Sequence, residues 1–494
     1  MKIYYSNRAD NVPMISLNLN HVIYKKFGTF KNAMLQLTEN LNLTIMKSIV
    51  LFLALLQVSA LTCIAQNKQS MPIKAGAAKV SITPDKEALP RNYLGINDSI
   101  FTRAIVIDNG ETGAALISVE VGMLRDNNWS SITKQIEEEL GIPAQNIMLT
   151  ATHTHSVPFN VGGAQLEQKI VESVKQAKSA LQPARMGYGT GVSYINVNRN
   201  MIDPKTRGWW EGPNYDGPSD KTVAVLYFET LEGKPIAVYY NYAMHGVLTG
   251  QLDMVSGDAP GAASRYIENS YDNKIVALWS TGCQGDQNPI YFQQTFDLRD
   301  IRIKEYAERG EDISNSMPPG GTGLDRNNPE VQRLMNEQKE ITKAMGVMLG
   351  EEVKHVIRNI DRPEKSATIA AAQKTAVIPG RNRTNTGRAG SAGTYVDGDS
   401  VRIRLGLLMF NDIAIGAINA EVFSQIAIQL KKESPFSRTM VVSVTNGSAN
   451  SGYIPNDAAF GYQTFEVLSS RCKPGYAERA IIDGILDLME QVKR

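Results

Sequence analysis

The sequence predicts an α/β fold with mixed β-sheets flanked by helices, organised as a single large domain. Three observations carry this. Apolar, β-branched runs alternate with amphipathic helical stretches along most of the chain. Some strands are joined by turn sequences such as Glu232-Gly233-Lys234-Pro235, whereas others are separated by helix-length segments. Hairpins and crossovers therefore both occur, which calls for mixed rather than purely parallel sheets.

In order along the chain, Lys79–Thr83, Arg103–Asp108 and Ala114–Glu120 read as strands. Ser130–Leu140 reads as a helix, because Ile132, Ile136 and Leu140 fall on one face. Asn146–Ala151 is a strand and Ala164–Leu181 a helix; Thr222–Glu229, Ile236–Tyr242 and Ile275–Ser280 are strands. Asp297–Asn328 is charged and then rich in Pro and Gly, so it reads as a surface loop. Pro329–Asn359 is a long helix whose His355, set among charged positions, reads as solvated. Arg381–Gly398, rich in Gly, Arg and Thr, reads as a long loop. Val401–Phe410 and Ile413–Ile418 form a strand pair around Asn411-Asp412, and Met440–Val444 is a further strand. Val422–Leu430 and Ala477–Val492 are helices.

The front of the chain has a different character. Met46-Lys47, the apolar stretch Ser48–Ala60 and Cys63-Ile64-Ala65 before Gln66 have the layout of a secretory signal peptide. Residues 1–45 are then an upstream extension, 46–65 the signal, and 66–494 the functional domain of an exported protein, periplasmic or secreted. Cys283 and Cys472 remain in that domain, and the sequence leaves open whether they pair. The net charge of +1 and the lack of basic clusters with interleaved aromatics exclude nucleic acid as a partner. No protein partner is indicated.

The chemistry concentrates at strand exits. The chain has five histidines, and two lie in Thr152-His153-Thr154-His155-Ser156, after the strand Asn146–Ala151. Strand positions i and i+2 share a face, so both imidazoles are expected to point into one pocket. Neutral imidazole is the commonest metal ligand near neutral pH. His245 ends another strand, with Gly246 behind it. The segment Gly282-Cys283-Gln284-Gly285-Asp286-Gln287-Asn288-Pro289 reads as a tight loop presenting Asp286 and Asn288 at its tip. Glu421 follows the strand Ile413–Ile418 and reads as opening a helix, where its carboxylate would meet the helix dipole or serve as a ligand. HExxH, GxxxxGK and GxSxG are absent, as is GxGxxG in a dinucleotide-binding context, which removes the corresponding readings.

In this order, Thr152-His153-Thr154-His155-Ser156, His245, Gly285-Asp286-x-x-Pro289, Glu421 and Gly452-Tyr453 resemble the neutral/alkaline, non-lysosomal ceramidases over about Ala75 to Glu466. The resemblance implies a zinc-hydrolase-like domain with Zn2+ held by His153, His245, Glu421 and Tyr453. It implies that His155 lines the active site and that Arg199, in Asn198-Arg199, contacts the substrate or oxyanion. Zinc there would acidify a water and polarise a carbonyl. The implied reaction cleaves an N-acyl bond, such as that of ceramide, into a fatty acid and a sphingoid base. The implied partner is a small-molecule or lipid substrate, with transient contact at a membrane surface. Asp286 would orient a ligand or a loop amide.

The sequence departs from the family pattern at four positions, among them Val157 and Phe159, which stand where small residues are expected after His155. The family's Gly-Asp-x-Ser-Pro serine is Asn288 here, which is neither a nucleophile nor a useful base. Phe465 stands where a tyrosine is expected. The family's C-terminal β-sandwich is not seen in this sequence. Two other readings stand beside the amidase: an exported zinc esterase or deacylase acting on a glycan or another lipid, and a non-catalytic binding protein that retains the metal.

Overall fold

The computed structural model describes residues 70–493 apart from 159, 160, 162 and 315–320. The leader-like stretch 46–65 lies outside the described residues. The strands run in chain order as β1 (Met71–Pro72), β2 (Lys74–Ser81), β3 (Phe101–Asp108), β4 (Gly113–Val119), β5 (Ile147–Ala151) and β6 (Gln182–Val192). Then come β7 (Asn196–Ile202), β8 (Trp209–Asn214), β9 (Thr222–Thr230), β10 (Pro235–Tyr242), β11 (Val276–Thr281) and β12 (Gln287–Pro289). The last group is β13 (Ser366–Ala367), β14 (Ile369–Arg383), β15 (Tyr395–Phe410), β16 (Ile413–Ile418), β17 (Glu421–Val422), β18 (Arg438–Val442) and β19 (Tyr453–Ile454).

An eight-stranded sheet has the order β11-β10-β9-β6-β2-β3-β4-β5, and a four-stranded sheet the order β14-β15-β16-β18. Both are mixed. The pairs β4–β5, β10–β11 and β16–β18 are parallel, and the other neighbours in these sheets are antiparallel.

Alternation along the strands sets the layers. In β3, Ile105 and Ile107 face a central core, whereas Ala104 and Val106 face the helices Asp126–Leu140 and Gly163–Ser179. In β9, Leu226 and Phe228 join the same central core. Val223, Val225 and Tyr227 pack instead on Asp258–Ser270 and Pro329–Arg358. In β16, Ile413 and Ile415 face the central core, and Ala414 and Ile418 face Ser424–Glu433 and Ala477–Lys493. Period-two burial on both faces thus makes three sheet segments surround one core, each backed by helices.

The large sheet is narrow at its middle: β2 and β6 share only the pairs Lys74↔Pro183 and Ala75↔Gln182. Its two edge strands come together at the other end of the order. Thr281 Oγ1, at the end of β11, donates to Ala151 O, at the end of β5, at 2.7 Å. The sheet therefore curls until the exits of β5 and β10 are neighbours.

Several expectations are corrected. Asp297–Asn328 is not simply a loop, since Gln293–Ala307 is helical and its buried Arg302 pairs with Asp253 at 3.0 Å. Charges paired inside the protein hide the helical pattern. Arg381–Gly398 is largely the end of a long hairpin, with pairing that runs from Ile369↔Phe410 to Arg383↔Tyr395. β6 escapes the pattern because Gly187, Gly189 and Gly191 lie against Ile360, Val356 and Glu352, where a Cβ would collide. His355 is exposed, as expected. Cys283 and Cys472 are buried and free. Among the described residues no helix is long and apolar enough to cross a membrane.

One buried charge cluster ties the helix Asp258–Ser270 to the sheet. Arg103 Nε donates to Glu268 Oε1 at 2.8 Å and its Nη1 to Glu120, all three residues being fully buried. Burial alone would raise the Glu268 carboxyl, but Arg103 and Lys79 hold it below the ordinary value of 4.5. A depressed folded pKa gives stability that is full above the unfolded value and lost as pH falls through the folded one. Glu268→Ala is expected to cost about 3–5 kcal/mol near pH 7, because Arg103 would keep its charge with half its compensation. Urea unfolding checks this, and the gap to wild type should shrink below the ordinary glutamate range.

Candidate metal centre

The exits of β5, β10 and β16 converge at one point. The chain leaves β5 at Ala151 and enters a left-handed conformation at His153, with φ of +62°. Non-glycine residues adopt this region only when their surroundings impose it. Here Thr154 bridges to Gly246, and His155 N donates to Gly246 O at 2.8 Å. A Cβ on residue 246 would lie 3.1 Å from His153 O and Thr154 Cα, so any larger residue would press the two histidine segments apart. His153 and His155 do share a pocket, but through this turn rather than through strand alternation.

His153 Nδ1 lies 2.7 Å from Gly122 O, and His245 Nδ1 lies 3.1 Å from Gln287 O. A carbonyl only accepts, so each Nδ1 carries the proton and each Nε2 presents a lone pair. Both lone pairs face the same atom. Glu421 Oε2 is 3.1 Å from His153 Nε2 and 3.3 Å from His245 Nε2. His155 Nε2 stands 3.3 Å from His153 Nε2. The ligand atoms of His153, His155 and His245 all lie within 4.8 Å of one another.

Glu421 is not in a helix, contrary to the sequence reading. It forms β17, which pairs in parallel with β19 in the register Glu421↔Tyr453. That pairing places the Tyr453 side chain next to Glu421 and its ring 6.4 Å from that of His245. The helix begins at Ser424, and Asp286 occupies its N-terminus: Ser424 N donates to Asp286 Oδ1 at 2.8 Å. Asn198 Nδ2 donates to the other carboxylate oxygen at 2.9 Å. Burial pushes the Asp286 carboxyl up to about 6. The expected loop tip is instead the short strand β12, paired with β7, and both Asp286 and Asn288 are buried. Asp286 does not line the histidine cleft and acts by positioning β12 and the helix Ser424–Glu433.

Arg199 lies within β7 and is buried beside this cluster. Its Nε donates to Glu466 at 2.6 Å, its Nη1 to Asn288 Oδ1 at 3.1 Å and its Nη2 to Gly285 O at 2.8 Å. Asn288 Nδ2 donates onward to Glu211 at 3.2 Å, and Glu211 pairs with Arg388 at 2.9 Å. Phe465 packs edge-on against Tyr453 and under the guanidinium groups of Arg199 and Arg388. Glu211, Glu466 and Arg388 were not singled out in the sequence. Glu466 had one signal, its place directly after Phe465; Glu211 and Arg388 had none.

The electrostatics suit a cation. Burial, then Arg199, push His245 down to about 3, which keeps its imidazole neutral. Burial would raise Glu421, but His153 and His245 hold it well below the carboxylate range. Burial and Glu421 push the Tyr453 phenol well above its ordinary range. Ring nitrogens and a carboxylate oxygen aimed at one another need positive charge between them. Against burial, Glu421 raises His153 so that a proton there can supply it, and a metal ion can do so in its place. Two or three imidazoles, one carboxylate and one phenol form an N/O donor set of the kind that zinc and similar ions accept. The residues therefore fit a metal. His153, His155, Glu421 and Tyr453 line a cleft of about 470 Å³ whose walls include Tyr93, Met123, Val157 and Phe292, and His245 is fully buried behind them.

The family model for the N-terminal part of the neutral/alkaline non-lysosomal ceramidases matches residues 88–433. The chain belongs to this ceramidase family. Tyr453 lies beyond the matched residues, so its place at the centre rests on the β17–β19 pairing. A neutral ceramidase of Pseudomonas aeruginosa is 25% identical over 286 residues, 49% of this chain and 42% of that protein. The neutral ceramidase of Drosophila melanogaster is 25% identical over 278 residues, 48% of this chain and 38% of that protein. The aligned part thus spans less than half the length of these curated relatives. A solved structure described as ceramidase complexed with C2 superposes with a TM-score of 0.62 at 15% identity, covering 85% of this chain and 76% of that one. The crystal structure of the P. aeruginosa neutral ceramidase gives a TM-score of 0.60 at 15% identity, covering 86% and 75%. The fold is therefore that of the solved ceramidases.

His153→Ala and His245→Ala are each expected to reduce bound metal to background, read by elemental analysis of the dialysed protein. His355→Ala, on an exposed helix face, should keep the wild-type metal content.

Proposed function

We propose that this protein is a metal-dependent amidase that hydrolyses the N-acyl bond of a ceramide-type lipid, releasing a fatty acid and an amino alcohol. The metal is zinc, and the leader-like stretch 46–65 makes the enzyme an exported one. The observation that carries the reading is the convergence of three histidines and Glu421 Oε2 at the wall of a part-apolar cleft, with His153, His155 and Glu421 lining it, within a member of the ceramidase family.

His153, His245, Glu421 and Tyr453 would hold the zinc. When bound, zinc supplies Lewis acidity and lowers the pKa of a water. His155 sits in the cleft beside the ligands, where burial and the two other histidines keep its imidazole neutral, and it would join Arg199 in stabilising the developing oxyanion. Arg199 directs fixed positive charge into the same cleft and stabilises the developing oxyanion. Asn288 is not a nucleophile. Its amide oxygen accepts from Arg199 and its NH2 donates to Glu211, so it sets the guanidinium's orientation. The nucleophile in this chain is accordingly water.

The test is hydrolysis of a labelled short-chain ceramide by the purified protein, with and without a chelator. Chelator-sensitive release of fatty acid, restored by zinc, is expected. A metal-loaded protein that leaves ceramide intact but cleaves acyl esters or acylated sugars would move the assignment to an esterase or deacylase. Affinity for such ligands with no turnover would leave a binding protein.

A further inference from the structure

The cleft wall carries a cation that the proposed chemistry does not use. Arg299 projects from the helix Gln293–Ala307 and lines the same cleft as the histidines, yet it is only 7% exposed. Its Nη2 donates to Ser314 O at 3.0 Å, and its Nε has no partner. No carboxylate pairs with it among the described residues. By contrast, Arg199 has Glu466 and Arg388 has Glu211. A guanidinium stays charged at all relevant pH values, so a buried one without a counterion is costly unless a ligand supplies the charge. Burial and the like charge of nearby Arg388 hold Arg299 below the ordinary arginine range, against a weaker opposing pull from Glu211 and Asp300, neither of which forms an ion pair with it. Arg199, Arg299 and Arg388 line this cleft with Glu211 and Glu421, and Glu466 pairs with Arg199; of these three carboxylates Glu421 is turned to the histidines, so none forms an ion pair with Arg299.

The geometry points to a substrate whose amine portion carries an anion, a carboxylate or a sulfonate, which Arg299 binds beside Arg388. This rests on the acyl-amidase reading of the cleft. Phe292 and Phe296, packed edge to face at 4.9 Å on the same wall, offer the apolar surface for an acyl chain. The acyl chain takes that surface, and the polar amine portion is left to the arginines. The planar guanidinium fork matches carboxylate and sulfonate oxygens in a way that a neutral hydroxyl does not exploit. Hydrolysis adds OH to the acyl carbon and H to the nitrogen as the C–N bond breaks. It would release a fatty acid and an amino acid or aminosulfonate, which narrows the amidase reading by replacing the neutral amino alcohol of a ceramide with an anionic amine.

Three probes with one acyl chain test this: N-octanoylglycine, N-octanoyltaurine and N-octanoylethanolamine. Binding is followed by calorimetry and turnover by amine release, for the wild type, Arg299→Gln and Arg299→Lys. At least one anionic probe should bind about tenfold tighter than the neutral one, the scale of a single charge-assisted contact. Arg299→Gln should remove that margin and leave the neutral probe unchanged, and Arg299→Lys should keep part of it. Preference for glycine or for taurine names the anion, and either supports the inference. Equal binding of all three by the wild type overturns it, as does an equal loss for all three in a folded Arg299→Gln. If Arg299→Gln does not fold, the wild-type comparison decides. Anion-selective binding without turnover of any amide sinks the amidase reading but keeps this inference. Turnover of the neutral amide with no anion preference does the reverse.

Discussion

Thr281 Oγ1 donates to Ala151 O and so fastens together two strands that stand at opposite ends of the large sheet's order. The site depends on that closure. His153 follows one of those strands by two residues, and His245 follows β10, the parallel neighbour of the other. Were the sheet open, its two histidine segments would be separated by its full width. Curled, it brings them into backbone contact, and Gly246 makes the contact close enough for a bridge. Glu421 arrives from the second sheet, at the end of β16, which also has a parallel partner. Parallel strands end together, and ligand sites in α/β proteins form outside their carboxyl ends.

Around the ligands lies a buried charged network rather than an apolar shell. Arg199, Glu466, Asn288, Glu211 and Arg388 form a chain of ion pairs and hydrogen bonds. Burial raises the Glu466 carboxyl to about 7 against the pull of Arg199. Such networks fix geometry at the expense of stability, and here Glu466 Oε2 is buried without a hydrogen-bond partner. Asn288 is the hinge of this one, accepting from one side and donating to the other. A serine hydroxyl is too short to span the same two partners, so the Asn288 departure belongs with the whole network.

Much of the fold was legible because burial on both faces of β3, β4, β9 and β10 demands uninterrupted apolar runs. Ile413–Ile418 is a strand with the bounds expected. The elements that escaped had a physical reason to look otherwise. β6 is glycine-rich where a helix presses on it, and the helix Gln293–Ala307 turns two arginines inward, Arg299 and Arg302, of which Arg302 pairs with Asp253. The hairpin of β14 and β15 extends into a polar two-stranded ribbon, which reads as a loop. At the site, the histidines were visible by their scarcity and their position at strand exits. The roles of Asp286 and Glu421 at a helix N-terminus were exchanged, because only one of two nearby acids can reach the free amides.

The sequence by itself determined the family, the mixed α/β class and the placing of histidines at strand exits, since residue type and strand periodicity are local properties. Tertiary structure alone decided that β17 pairs with β19 and sets Tyr453 against Glu421. It also decided that Asp286 faces away from the cleft and that Arg299 faces into it. These outcomes hang on contacts between residues far apart in the chain, and no local pattern encodes the direction in which a buried charge will find its partner.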